Sequence, residues 1–388
     1  MKKVLWLPSW YPNKLFPFNG DFIQRHAAAA ALYQPVQVIH IVKDEKGIQT
    51  KKIMEDMHVA GGLSETIVYY KPFVTGIAVV DKLISSARYI SIYKACIKRY
   101  IEQQGRPDLI HVHVPFKAGI LARWCKKKYG IPFIVTEHWC AYNNLNPDNF
   151  FVHNALFRST VKKIFQSAGL VTSVCESNRK ELTDLFDIQK SVVVCNVADD
   201  RIFYLSVDKP EQAFTFIHVS SLTNQKNVEG ILRAFSILKN NNRRWQCIMV
   251  GPYNNSLTQQ ANLLGLEQFI KWTGELPYEA VALHTRNAHS MVMFSRYENS
   301  PCTIIEALTA GVPVIASSVG GIPEIIDEQN GLLVASEDID ALAGALTRMI
   351  NDYHMYRRSD IAEKAKSMFS YETIGLQITG LYREFQET

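Results

Sequence analysis

Short apolar runs alternate with amphipathic stretches along the whole chain, the pattern expected of parallel α/β sheets. In the first half, strands are predicted at residues 4–7, 36–42, 109–112, 133–136, 170–174 and 192–195. Helices are predicted between them at 21–32, 81–104, 117–129, 151–168 and 177–186. The polar segment 199–213, which carries Pro210, breaks the rhythm and reads as a domain boundary. The alternation then restarts, with strands at 214–219, 246–250, 290–294, 312–316 and 332–334. Its helices are predicted at 228–239, 257–264, 278–285, 303–310 and 339–350, and two more, 355–368 and 371–386, close the chain. The fold class expected is α/β, with two doubly wound domains over residues 1–200 and 201–370 facing each other. Ligands of such sheets bind beyond the carboxyl ends of the strands, so the cleft between the domains is the expected site.

Bulk properties narrow the function classes. The 388 residues suffice for two ordinary domains with full cores. A net charge of +5 suits a phosphate-bearing ligand but is too weak to argue for nucleic acid. The seven cysteines form no Cys-x-x-Cys pair, which predicts a reducing, cytoplasmic setting with neither disulfide framework nor zinc site. The N-terminal run resembles the start of a signal peptide, but it is short and ends at Pro8, so a first buried strand is expected. No run approaches the length of a membrane span.

The chemistry concentrates between Ser295 and Glu324. Glu298 and Glu306 flank a small polar turn, and Glu306 is expected in the first turn of the predicted helix 303–310. A carboxylate there could accept both hydroxyls of a ribose, beside free N–H groups that suit phosphate. On a surface it would instead be a helix-dipole partner worth under ~1 kcal/mol. Glu298 could meet a sugar hydroxyl or a developing positive charge, or pair with Arg296 as a solvated loop acid.

Glu298-x7-Glu306, the Ala-Leu-Thr-Ala-Gly-Val-Pro-Val-Ile-Ala that follows, and Gly320-Gly-Ile-Pro-Glu324 together resemble the donor-site signature of the retaining glycosyltransferases of family 4 (glycosyl transferases group 1). Other landmarks extend the resemblance over nearly the whole chain. They include His218-Val-Ser-Ser-Leu222 before Lys226, Ile248-Met-Val-Gly251, Trp272-Thr-Gly274, Asp108-Leu-Ile-His-Val-His113, Thr136-Glu-His138 and Ser173-Val-Cys-Glu-Ser177. The resemblance implies the GT-B architecture, two Rossmann-like domains joined by a hinge. The last segment, 371–388, would then cross back onto the first domain.

Residue by residue, the resemblance implies that Lys226 grips the donor diphosphate and neutralises charge growing on the leaving phosphate. Glu298 and His138 would position the hexose, and Glu306 would bind ribose. Gly20 would admit the donor phosphates to a glycine loop, because it has no Cβ. The turn Asn299, Ser300, Pro301, Cys302 and Thr303 would offer backbone N–H groups to sugar and phosphate. Gly251, Trp272 and Thr273 would line the base and phosphate side of the donor site. One departure stands out: the family usually carries an arginine just before the Leu222 position, and here Ser221 occupies it. That replaces a planar bidentate phosphate donor by a hydroxyl, and Arg296 is the candidate to reach in instead.

Asp338-x-Asp340 spells a metal-binding triplet, but it opens the predicted helix 339–350, where acids serve as caps. No metal and no cofactor is expected. The basic helix 81–104 and the cluster Arg123 with Lys126, Lys127 and Lys128 could lean on anionic headgroups, which suggests peripheral membrane contact. The function expected is transfer of a sugar, with retention, from a nucleoside diphosphate sugar to a hydroxyl of a glycan or lipid-linked acceptor in surface polysaccharide or lipopolysaccharide synthesis. The alternatives are a catalytically weak or silent nucleotide-sugar or glycan-binding partner, favoured by Ser221, and a nucleotide-sugar epimerase of the same fold.

Overall fold

The structure, a computed structural model, describes residues 1–47, 53–206, 213–239 and 243–385. Its first sheet contains β1 (Val4–Pro8), β2 (Val36–Lys43), β3 (Ile53–Ala60), β4 (Leu63–Tyr70), β5 (Leu109–His113), β6 (Phe133–Glu137), β7 (Leu170–Ser173) and β8 (Ser191–Val193). They lie in the order β3-β4-β2-β1-β5-β6-β7-β8, parallel throughout except for β3. The second sheet contains β9 (Phe214–Val219), β10 (Trp245–Val250), β11 (Ile270–Gly274), β12 (Ser290–Met293), β13 (Val314–Ser317) and β14 (Gly331–Val334). Its order is β11-β10-β9-β12-β13-β14, and all of its pairs are parallel.

Helices cover both faces of each sheet, which is why β1 and β5 are buried along their whole length and read as unbroken apolar runs. On the first sheet, α1 (Asp21–Ala31) lies on one face. The other face carries α2 (Ala78–Gln104), α3 (Ala118–Tyr129), α4 (Ala155–Ser167) and α5 (Glu176–Phe186). The second sheet is flanked by α6 (Val228–Leu238), α7 (Asn255–Leu263), α8 (Tyr278–Asn287), α9 (Cys302–Thr309), α10 (Ile339–Asp352) and α11 (Arg358–Phe369). The last helix, α12 (Tyr371–Glu384), returns to the first sheet and packs on α1. Its Gly375 sits so close to α1 that a Cβ would stand 2.2 Å from the Ala29 carbonyl oxygen. Its buried Tyr382 hydroxyl meets His111 Nδ1 at 2.5 Å.

The strands and helices expected from the sequence form, with four physical differences. The hairpin β3–β4 was not expected: its outer strand is an exposed edge, turned by Gly61 and Gly62 at φ +54° and +88°. β11, alternating Ile270-Lys-Trp-Thr, is likewise an edge strand absent from the expected set. The helix expected over 151–168 is split at His153, because Asn154 caps α4 by accepting from the Phe157 amide. α11 begins three residues later than expected, after a short 3₁₀ turn at Tyr353–Met355. Part of the expected boundary 199–213, and residues 386–388 of the last segment, lie outside the described residues.

Each sheet reverses its winding direction beside its first strand: β1 lies between β2 and β5, and β9 between β10 and β12. These are the switch points at which open α/β sheets bind ligands. The turn after β1 leads into α1, and the turn after β9 leads into Lys226 and α6.

Candidate active site

A cavity of about 470 Å³ opens between the carboxyl edges of the two sheets. The first domain lines it with residues of α1 and with His138, Cys140 and Asn196. The second lines it with Ser220, Ser221 and Lys226 after β9, with Tyr278 of α8, and with residues 298–303 and 306. Of the expected site residues, Glu298, Lys226, His138, Glu306, Ser221, Asn299, Ser300, Pro301, Cys302 and Thr303 all reach this one cavity.

Four do not line it. Gly20 takes φ +74° as the left-handed residue before α1, and a Cβ there would stand 2.7 Å from the Trp10 carbonyl carbon. Its close approach is therefore to the protein's own backbone. The Gly251 amide donates to the Gly274 carbonyl at 3.2 Å. Trp272 packs against the core of the second domain, and the Thr273 hydroxyl donates to main-chain carbonyls of Met249 and Gly274.

Lys226 forms an ion pair with Glu298, and the Ser295 hydroxyl donates to the same carboxylate at 2.8 Å. Glu298 is buried, so this is not the solvated loop acid that its turn allowed. Arg296 is not its partner. Arg296 pairs with Glu337 and donates to Asn227 Oδ1 at 3.0 Å and to the Asn224 carbonyl, bracing the turn that carries Lys226. It does not reach the cavity in place of an arginine at Ser221.

Glu306 lies one residue further into its helix than expected, just past the first turn, because α9 begins at Cys302. It is buried, accepts from the Tyr278 hydroxyl at 2.6 Å and faces Arg25 Nη2 at 3.6 Å. Burial raises its carboxyl above the usual range, and Arg25 and Tyr278 hold it partly back. The α9 start does not activate Cys302: burial pushes its thiol up to about 12.

His138 belongs to a buried histidine group. His113 Nδ1 and His138 Nε2 are 3.1 Å apart and share a hydrogen bond. Trp6 stacks on His113 with centroids 4.1 Å apart, and His26 donates from Nε2 to the Cys195 carbonyl at 2.9 Å. Burial drives His138, His113 and His111 well below their ordinary value and His26 down to about 4, so the group is neutral. Both His138 ring nitrogens are turned into the protein, with Nδ1 buried beside Asn196. Among the described residues, His26, His113 and His138 are the side chains that could together hold a cation, with ring nitrogens within 4.8 Å, and no carboxylate joins them. Asp338 instead caps α10 by accepting from the Ala341 amide, and Asp340 is exposed.

Glu137, before His138, is buried and accepts from the amides of His138 and Trp139 and from the Tyr142 hydroxyl. It fixes the loop that carries His138, and burial raises its carboxyl to about 7.

The domains are tied around the cavity by side chain to main chain bonds. Asn196 Nδ2 donates to the Ser300 carbonyl at 2.8 Å, and Asn299 Nδ2 to the His138 carbonyl at 3.2 Å. The Glu324 carboxylate accepts the amides of Glu176 and Ser177 at 2.7 Å each, capping α5 from the other domain. Gly320 makes this crossing feasible: its φ is +54°, and a Cβ would stand 1.8 Å from the Glu298 carbonyl oxygen.

Arg25, Tyr278, Asn196 and Glu324 were not foreseen as site or clamp residues. A signal for Arg25 existed: it precedes His26 and five alanines in a helix whose composition is otherwise that of a buried one.

Comparison with known proteins agrees with this geometry. Residues 205–368 match the family of glycosyl transferases group 1, and residues 64–201 match glycosyltransferase family 4. The chain belongs to the group 1 glycosyltransferases of family 4. A protein of Bacillus subtilis named for a glycosyltransferase of teichuronic acid biosynthesis is 24% identical over 395 residues, covering 97% of this chain and 94% of that one. The N-acetyl-alpha-D-glucosaminyl L-malate synthase of Bacillus anthracis is 25% identical, over 71% of this chain and 76% of its own length. Among solved structures, a sucrose-phosphate synthase from Thermosynechococcus elongatus superposes with a TM-score of 0.76 at 19% identity, covering 99% of both chains. HepE from Anabaena, solved in complex with UDP, gives a TM-score of 0.73 at 17% identity over 99% of this chain and 100% of its own. At these identities the structural likeness carries the fold, which is GT-B. The family-4 glycosyltransferase is an enzyme, and among its described residues no helix is long and apolar enough to cross a membrane.

Proposed function

We propose that this glycosyltransferase moves a sugar from a nucleoside diphosphate sugar to a hydroxyl of a glycan or lipid-linked acceptor, with retention at the anomeric carbon and without a metal ion. The observation that carries the reading is the convergence of Lys226, Glu298, Glu306 and the start of α9 on one interdomain cavity. Glu306, buried and already bonded to one hydroxyl, is suited to accept ribose hydroxyls. Lys226 and the uncapped N–H groups of α9 suit the diphosphate, whose charge grows as the glycosidic bond breaks. Glu298 is held by Lys226 and Ser295, which favours a charge-positioning role over that of a free nucleophile. Retention then follows the family resemblance: acceptor attack on the face of the leaving phosphate, which takes up the acceptor proton.

The acceptor would enter from the first domain. The segment leaving the carboxyl end of β4 exposes Phe73, Val74 and Ile77, and α2 continues with exposed Val79 and Leu83 beside Lys82. An exposed apolar strip beside Lys82 suits a lipid-linked acceptor at an anionic surface. Relatives are named for teichuronic acid biosynthesis and for alpha-monoglucosyldiacylglycerol synthesis, which supports an envelope polymer or glycolipid as product. Incubation with UDP-, GDP- and ADP-sugars, scored for thermal stabilisation and for release of the nucleoside diphosphate, tests the reading. Stabilisation by a donor without turnover on any acceptor would favour the silent-partner reading that Ser221 raises.

A further inference from the structure

Two cations line the cavity, and they come from opposite domains: Lys226 from the second and Arg25 from the first. Three carboxylates line it as well, Asp21, Glu298 and Glu306. Lys226 is already paired with Glu298, so a diphosphate entering this cavity needs a second positive group. Ser221 is a hydroxyl, and Arg296 is committed to the turn beneath Lys226.

Arg25 has the position and, although two carboxylates face its guanidinium, one donor without a partner. Its side chain is 9% exposed and sits beside Cys302 at the start of α9, where Pro301 supplies no side-chain cap. Asp21 holds Nη1 at 2.9 Å, the Tyr278 hydroxyl lies at 3.0 Å, and Glu306 faces Nη2 at 3.6 Å. Nε is buried and has no hydrogen-bond partner. A buried donor without an acceptor costs free energy unless a ligand satisfies it. A planar guanidinium next to uncapped helix N–H groups is suited to phosphate oxygens.

We infer that Arg25, delivered by the first domain, is a phosphate-binding residue of the donor site and replaces across the cleft the arginine that Ser221 lacks. The inference rests on the reading of this cavity as a nucleoside diphosphate sugar site. It adds a mechanical consequence. A diphosphate held by Lys226 on one side and Arg25 on the other spans both domains, so donor binding favours the closed cleft.

The test is calorimetric binding of uridine, guanosine and adenosine diphosphates, and of the matching nucleosides, to the full chain. For the diphosphate that wild type binds, Arg25→Gln should weaken binding at least tenfold while nucleoside binding stays within twofold. Adding Ser221→Arg to Arg25→Gln should restore most of the loss. If Arg25→Gln does not fold, Arg25→Lys carries the same test, because it keeps the charge and loses the fork; it should weaken the diphosphate several-fold and spare the nucleoside. Diphosphate binding unchanged in the variant that folds, or equal loss of diphosphate and nucleoside, overturns the role of Arg25 alone. A wild-type chain that binds no nucleoside diphosphate overturns the donor-site reading and this inference together.

Discussion

Lys226 and the buried Glu298 form a partly buried ion pair that joins the turn after β9 to the loop before α9. Its two members are given opposite tasks by their surroundings. Ser295 and Lys226 hold the carboxylate, while the ammonium remains at the cavity wall where a leaving phosphate would gather charge.

Lys226→Ala should therefore cost turnover more than donor affinity. Loss of a preorganised charge at the leaving group lowers kcat by about 10²-fold or more. The substitution also leaves the buried Glu298 without its cation, at a cost of up to roughly 3 kcal/mol. Lys226→Ala combined with Glu298→Gln should regain melting temperature without regaining turnover. Recovery of turnover in the double variant would assign Lys226 a structural role only.

Glu306→Ala should act on affinity. A carboxylate bonding two ribose hydroxyls makes charge-assisted bonds of roughly 1.5–3 kcal/mol each, so its removal should weaken nucleoside diphosphate binding at least tenfold. Isothermal titration checks this, with the nucleoside weakened as much as the diphosphate, in contrast to Arg25→Gln. Unchanged affinity would remove the ribose assignment.

Glu324 caps α5 from the opposite domain through two amides. The carboxylate is exposed, so Glu324→Ala should leave the melting temperature nearly unchanged. It should loosen the cleft and increase the radius of gyration of the free protein in small-angle scattering. A saturating donor should reverse the expansion, because the ligand then supplies the closure.

The buried histidines make the protein sensitive to acid. His26, His40 and His218 are each held down to about 4 by burial, while in an unfolded chain they protonate near 6.5. Between those values the unfolded state binds more protons, so stability is present above pH 6.5 and lost as pH falls toward 4, by roughly 3 kcal/mol per group. Glu137 works in the other direction. Its carboxyl is raised to about 7, so its contribution falls as pH rises from 4.5 to 7. Urea melts from pH 5 to 8 should show wild type weakest at the acid end. Glu137→Gln should gain on wild type from pH 5 to about pH 7 and keep that gain to pH 8, and a constant difference would show that Glu137 titrates normally.

Much of this was legible in the residues. The apolar runs at Val4 and Phe214 announced buried parallel strands, and the acids Glu298 and Glu306 marked the second domain's wall of the cavity. Edge strands were less visible, because β3 buries little and its alternation resembles a polar loop, although Gly61-Gly62 marked its turn. Side-chain direction was invisible as well. Nothing in the local sequence shows that Arg296 turns down to Glu337, or that the His138 ring nitrogens face His113 and Asn196. Arg25 stood out as a cation in an alanine-rich helix, but its place in the site emerged only once α1 and α9 were set across one cleft, since its partners Tyr278 and Glu306 lie more than 250 positions away.

If the proposed function holds, the interdomain cavity binds and cleaves a nucleoside diphosphate sugar. Release of nucleoside diphosphate from a panel of UDP-, GDP- and ADP-sugars, followed over time with wild type and Lys226→Ala, tests it most directly. Wild type should release nucleoside diphosphate slowly from at least one donor, faster with a suitable acceptor, and Lys226→Ala should do so at least 10²-fold more slowly. Absence of binding and of release for every donor would contradict the proposed function.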